Sequence, residues 1–192
     1  MASVVLSGDT SGSITVSAPA VSGSNTQTLV ATTGTLAPIV SGTAVTASGT
    51  SVEFTSIPSW VKRITVMFSG ISPSSTGDIL IQLGDSGGYE TSGYVGRAQR
   101  SGASSTTEVA LSSGFAINTG GNTAVINGLA FICLLDSTTN TWAANGTLGR
   151  SDAAAMQSFG GAKPLSATLD RLRLYIDGTQ TFDAGTINIL YE

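Results

Sequence analysis

Short runs of alternating apolar and polar residues make up most of the chain beyond residue 49. The runs are SVEF, KRITVMFSG, DILIQLG, GYVGRAQ, TEVALSS, GFAIN, AVINGLAFICLLD, TWAANGTLG, TLDRLRLYID and TINILYE, with Gly, Pro, Asn or Asp residues between them. A period of two between turn-forming residues is typical of β-strands. The pattern predicts eight or more strands, and in KRITVMFSG it directs Ile64, Val66 and Phe68 toward a core.

Two segments depart from this simple alternation. The stretch from Ala153 to Phe159 is irregular, and SDAAAMQSF is compatible with one helical turn. In LDRLRLYID, apolar and basic residues alternate imperfectly, which predicts a strand with both faces partly covered. The strand count and the absence of helical periodicity favour an all-β, jelly-roll-like β-sandwich over residues 49–192, with two sheets of about four strands each.

Residues 1–48 have a different pattern. Asp9 is the only charged side chain among them, and VVLSGDT, SITVSAPAV and TQTLVATTG form a loose repeat before a break at Pro38. Such short segments do not make a stable isolated sheet. They predict an extended, β-rich N-terminal arm for anchoring and assembly, completed by strands of other chains. A flexible tail is the alternative.

Composition and charge narrow the functional classes. Ser and Thr make up 53 of the 192 residues, which disfavours helices because hydroxyl groups compete for backbone hydrogen bonds. The net charge of −4 leaves no basic stripe for nucleic acid. No apolar run approaches the roughly 20 residues of a membrane helix, and the first residues do not resemble a signal peptide. We therefore expect the chain in the cytosol until it is assembled.

The absence of histidine removes the commonest general base and metal ligand. Acidic pairs occur as Asp85 with Glu90, Asp136 with Asp152 and Asp177 with Asp183, but turn formation is the favoured interpretation of these residues. GDSGG matches a serine-protease loop only by chance, because the serine would need a histidine. The sequence predicts no enzyme activity, no cofactor and no metal site, and Cys133 is predicted to be a buried small apolar residue.

Three stretches carry a resemblance to known proteins: SVVLSGDTSGSITVSAPAVSGSNTQTL at the start, FTSIPSWVKRITVMFSGIS with ILIQLGDSGGYETSGY in the middle, and TFDAGTINILYE at the end. They resemble the tail-fibre and fibre-like virion proteins of tailed bacteriophages. The opening is similar to a module near the start of many such proteins, and the rest is similar to a C-terminal β domain of tail fibres.

The resemblance implies a virion surface protein that assembles as a homotrimer in the host cytoplasm. Its partners would be copies of itself, other virion proteins bound through the N-terminal arm, and host surface polysaccharide, with neither nucleic acid nor membrane insertion. Because the chain has no long shaft, a capsid decoration or head-fibre protein that stabilises the phage head is the alternative to host attachment.

Sugar binding needs flat apolar faces beside polar groups, and two segments supply both. The candidate receptor contacts are Tyr89, Glu90, Tyr94, Arg97 and Arg100 in the first segment, and Trp142 with Arg150 in the second. Packing between sheets or subunits is the alternative role for each aromatic residue.

Overall fold

A computed structural model describes residues 3–7, 11–17, 38–121 and 124–192. Contacts within the chain define two units, Met1–Leu36 and Ala37–Glu192. In the first unit, β1 (Ser3–Ser7) pairs with β2 (Ser13–Ser17) as an antiparallel hairpin. The third predicted repeat of the arm, TQTLVATTG, lies outside the described residues.

The second unit is built from strands alone in its described part. These are β3 (Val40–Ser41), β4 (Val45–Thr46), β5 (Ser51–Phe54), β6 (Arg63–Pro73), β7 (Ile79–Asp85), β8 (Gly88–Tyr89), β9 (Val95–Gly102), β10 (Thr106–Ala110), β11 (Phe115–Ile117), β12 (Ile126–Asp136), β13 (Thr141–Arg150), β14 (Ala155–Pro164), β15 (Arg171–Ile176) and β16 (Phe182–Tyr191). Since β3 and β4 both pair with β16, residues 40–46 of the predicted arm belong to the sandwich.

The strands form two antiparallel sheets. The large sheet has nine strands in the order β10-β9-β14-β13-β12-β6-β16-β3, with β4 also on β16. The small sheet has five strands in the order β11-β7-β15-β5, with β8 on β7. The sheets are therefore larger than the predicted four strands each.

The connections between the sheets confirm the jelly-roll-like prediction. From β5 to β7 the chain alternates between the sheets, and it crosses again at β9, β11, β12, β15 and β16. The small-sheet order β5-β15-β7-β11 and the large-sheet order β6-β12-β9-β10 are those of an eight-stranded jelly roll, with the β13–β14 hairpin inserted between β12 and β9. The insertion and the added β16 widen the large sheet.

The core lies between the two sheets. Ile64, Val66 and Phe68 are buried there, as the alternation in β6 predicted. Across the small sheet, register aligns Leu174 of β15 with Ile81 of β7, and both are fully buried. Phe115 lies near the centre, edge-on to Tyr94 with ring centroids 5.1 Å apart and stacked on Phe159 at 6.1 Å.

Two local predictions are wrong. The stretch predicted to be irregular or helical around Ala153 to Phe159 contributes to β14, a ten-residue strand that pairs with β13 on one side and β9 on the other. Cys133 is exposed, because it occupies an outward position on β12. In both cases the position of the strand in the sheet decides the outcome, and local composition does not reveal that position.

Candidate functional site

The predicted contact residue Tyr94 lies in the core. Only 3% of it is exposed, and its hydroxyl oxygen accepts the backbone N–H of Leu83 at 2.7 Å while donating to the carbonyl of Glu90 at 3.1 Å. Burial raises the pKa of the Tyr94 hydroxyl. Tyr94 therefore holds the segment after β8 against β7, and its prediction as a receptor contact is corrected.

Glu90 belongs to a polar network that fastens the loop before β15. Its carboxylate forms an ion pair with the buried Lys163 and accepts the backbone N–H of Ser166 at 2.7 Å. The Ser166 hydroxyl in turn donates to Asp85 at 2.6 Å, and the N–H of Gly87 donates to the same carboxylate at 2.8 Å. The carboxylates of Glu90 and Asp85 therefore bind neighbouring groups of the same chain.

The electrostatics of this network keep both carboxylates ionised. The Ser166 hydroxyl and the Gly87 N–H lower the pKa of Asp85. Burial opposes ionisation of Glu90, but the bonds from Lys163 and Ser166 outweigh it and lower the pKa of Glu90. A general acid of a glycosidase needs a raised pKa instead. These contacts therefore indicate a structural role for the acidic pair Asp85 and Glu90.

Tyr89 lies on the outer face of the small sheet, in a stack of aromatic and basic side chains. The guanidinium of Arg173 lies 4.5 Å from the Tyr89 ring centroid and 5.0 Å from that of Tyr175. Arg171 lies 5.9 Å from the Tyr89 ring. Burial and the nearby carboxylate of Glu53 raise the pKa of Tyr89 to about 12.

This stack was not predicted as a site, although the alternation of basic and apolar residues in LDRLRLYID shows that Arg171, Arg173 and Tyr175 share one face. Arg173 also donates to the amide oxygen of Gln82 at 2.8 Å. The cations occupy the ring faces, so the stack mainly covers the outer surface of β7.

The two arginines of β9 point to opposite sides of the large sheet, because they are three positions apart along the strand. Arg97 is exposed on the outer face. Arg100 is partly buried on the inner side, opposite Gln157, and its side chain runs along Gly120, which has a φ of 70°. The structure does not bring this predicted pair together.

Trp142 and Arg150 lie at opposite ends of β13. Only 2% of Trp142 is exposed, so its side chain packs in the core and does not form an open surface contact of the kind predicted. Arg150 forms an ion pair with Asp152 and lowers the pKa of that carboxyl to about 2. Arg150 also donates to the carbonyl of Thr119 at 3.1 Å. The seven predicted contacts are therefore spread over the sandwich.

A row of exposed apolar side chains lies on the outer face of the large sheet. On β12, Leu129 and Phe131 are 43% and 38% exposed, Cys133 is exposed, and Leu135 after it is 69% exposed. Their inward neighbours Ala130 and Ile132 fill the core. The central strand of this sheet is thus apolar on both faces, although the structure covers only one of them.

The strands on either side of β12 extend this surface, which we call the outer sheet face: the outward positions of β6, β9, β12, β13 and β14. Thr147, Asn145 and Ala143 of β13 flank Leu129, Phe131 and Cys133, and Ser158, Gly160 and Ala162 of β14 lie beyond them. The outward residues of β12, β13 and β14 carry no charge except Asp136, at the end of β12. Sequence reasoning missed this face, although the apolar residues at both odd and even positions of LAFICLL signalled it.

Comparison with protein-family models, curated proteins and solved structures returned no match to the chain. Among the described residues, no helix is long and apolar enough to cross a membrane. The same residues contain no group of three or more Cys, Asp or Glu side chains placed to hold a metal ion.

We predict that Ser166→Ala weakens the fold by about 1.5 kcal/mol at pH 7, because it removes a hydrogen bond to a charged group. The bond lowers the pKa of Asp85 below its ordinary value of 3.8, so its contribution is present above that pH and disappears as the pH falls through the folded pKa. Urea unfolding at pH 7 and near pH 3 measures the difference between variant and wild type. Ser86→Ala, at an exposed serine beside Asp85, is the control, and an equal effect of Ser166→Ala at both pH values would contradict the assignment.

Proposed function

We propose that the chain is a surface protein of a tailed-phage virion, similar to tail fibres, that assembles as a homotrimer and attaches the particle to a host cell-surface glycan. The observation that carries the proposal is the outer sheet face, because a protein that works alone in water has little use for a broad apolar surface on its central strands. The resemblance of the three sequence stretches supplies the viral context.

The size of the outer sheet face suits an assembly interface. Its five strands, each about 4.8 Å wide and about 34 Å long, present about 800 Å². Stable protein interfaces bury about 800 Å² on each partner. Around a threefold axis, three such faces would enclose a second apolar core.

The charge pattern favours a copy of the same chain as the partner. The centre of the face is uncharged, and Arg97 lies toward its β9 margin while Arg63 on β6 is neutralised by Glu192. Three copies of the face can therefore converge on a threefold axis without bringing like charges together at the centre. A strongly charged partner would meet no opposite charges at the centre of the face.

The described part of the arm fits a role in anchoring. In the β1–β2 hairpin, the side chains of Val5, Leu6 and Val16 are each more than half exposed to solvent. A two-stranded hairpin with exposed apolar side chains is marginally stable by itself. We propose that another virion protein covers it or adds a strand to it.

We propose no enzymatic role. The chain has no histidine, and the pKa values of Asp85, Glu90, Asp136 and Asp152 are lowered by hydrogen bonds or ion pairs. Burial raises the pKa of Asp78, but that carboxylate accepts the backbone N–H of Thr119 at 3.2 Å and holds a loop. These contacts support structural roles for the acidic residues.

Phe131→Asp should dissociate the trimer into monomers, because assembly would bury a carboxylate without a partner. Sedimentation equilibrium measures the mass of the full chain, 19.3 kDa for one copy. Ile39→Asp, at an apolar residue that is 67% exposed and precedes the edge strand β3, should leave the trimer intact. A monomeric wild type, or a trimeric Phe131→Asp variant, would contradict the proposed interface.

Immunogold labelling of intact particles with an antibody against the chain tests the place of the protein on the virion. Gold at the tail is the expected result for host attachment. Gold distributed over the head would instead support the decoration or head-fibre alternative. An unlabelled particle would contradict both.

A further inference from the structure

A small cavity lies at one end of the sandwich, where the loop before β6, the β12–β13 turn and the loop before β15 meet. Its volume is about 80 Å³. Val61, Trp142 and Leu169 contribute its apolar lining, and each is almost fully buried. A cavity of this size holds a few water molecules or one edge of a sugar ring.

Polar side chains from three different loops converge on the same cavity. They are Ser59, Lys62, Ser137, Asn140 and Thr168. Hydroxyl and amide groups both donate and accept hydrogen bonds, so such a lining suits a ligand that is rich in hydroxyl groups. Trp60 lies between two lining residues in sequence, is 39% exposed and rests on the ring of Tyr191 at 5.9 Å.

Trp142 is one of the residues that line the cavity. Its indole Nε1 is buried, and no acceptor among the described residues takes its hydrogen. A ligand in the cavity would therefore lie against the Trp142 side chain and change the surroundings of its indole ring.

Lys62 gives the cavity a positive charge. No carboxylate is among the described lining residues, and Lys62 takes part in none of the ion pairs of the described chain. An ammonium group beside hydroxyls favours a ligand that carries both hydroxyls and an anionic group.

We propose that this cavity binds a saccharide unit bearing a carboxylate, of the uronic-acid type. The inference rests on the proposed attachment function and names the glycan class and the site. Lys62 pairs with the carboxylate, the hydroxyls of Ser59 and Thr168 bind sugar hydroxyls, and the apolar part of the sugar packs against Trp142. Each site is shallow and weak, and three sites on one trimer raise the strength of attachment through avidity.

The chain contains two tryptophans, so the indole N–H region of a ¹H–¹⁵N NMR spectrum reports on the cavity directly. Trp142→Phe and Trp60→Phe assign the two signals in the full-length protein. Glucuronic acid is the probe, and glucose is the matched neutral sugar. We expect glucuronic acid to shift the Trp142 signal saturably and glucose to shift it at concentrations about tenfold higher.

Lys62→Gln should weaken glucuronic acid binding about tenfold, to the level of glucose, because it removes the charge. Glu108→Gln, which removes an exposed charge on β10 outside the outer sheet face, should change nothing. A Trp142 signal that does not move at any soluble concentration of glucuronic acid would overturn the proposal. So would equal affinities for the two sugars, or equal binding by wild type and Lys62→Gln.

Binding of labelled protein to the bacteria on which the phage grows separates this inference from the proposed function. Reduced binding by Lys62→Gln with normal binding by Glu108→Gln supports the cavity. Unchanged binding by Lys62→Gln overturns the cavity while attachment stands. Failure of the wild type to bind the cells contradicts the attachment function itself.

Discussion

A strand with apolar side chains on both faces needs a covering layer on each side, and this requirement governs the architecture of the sandwich. In the small sheet the requirement is met within the chain. Every residue of β7 is buried, because the core covers its inner face while Tyr89, Tyr175 and Arg173 accompany its outer face. In the large sheet, the outer side of β12 has no such cover among the described residues. Assembly through this side, as we propose, would supply the missing cover.

The inserted β13–β14 hairpin links the jelly roll to this proposal. It adds two strands beside β12, and their outward side chains are uncharged and, apart from Met156, mostly small, so they widen the surface. It also places Trp142 beside Lys163, which anchors Glu90 and the loop that follows β14. The same insertion thus shapes the outer sheet face and the end of the sandwich that holds the cavity.

The fold was predictable where one strand face is polar and the other apolar, as in β6 with Ile64, Val66 and Phe68. It was less predictable in β14, whose Ala and Gly residues have low strand propensity and depend on pairing with both neighbours. At Gly161, for example, a Cβ atom would lie 2.4 Å from the carbonyl oxygen of Val95, so the close approach of β9 requires glycine.

The candidate contacts were harder to predict, because Tyr94 and Trp142 occur in polar, Gly-rich or Thr-rich segments that are typical of a surface. Both return to the core through long-range contacts, Tyr94 through Leu83 and Trp142 through its pairing with Lys163. Neither contact can be inferred from the residues next to Tyr94 or Trp142 in the sequence. The cavity depends on three loops that are distant in sequence, so only the folded chain brings its residues together.

The most direct test of assembly through the outer sheet face uses Cys133, the single cysteine of the chain, which is exposed in one copy. Its rate of reaction with a maleimide is measured in the assembled wild-type protein over a range of protein concentrations, with the urea-unfolded chain as the reference. The account predicts slow labelling at high concentration and faster labelling on dilution, as copies separate. Labelling of the concentrated protein at the rate of the unfolded chain would contradict it.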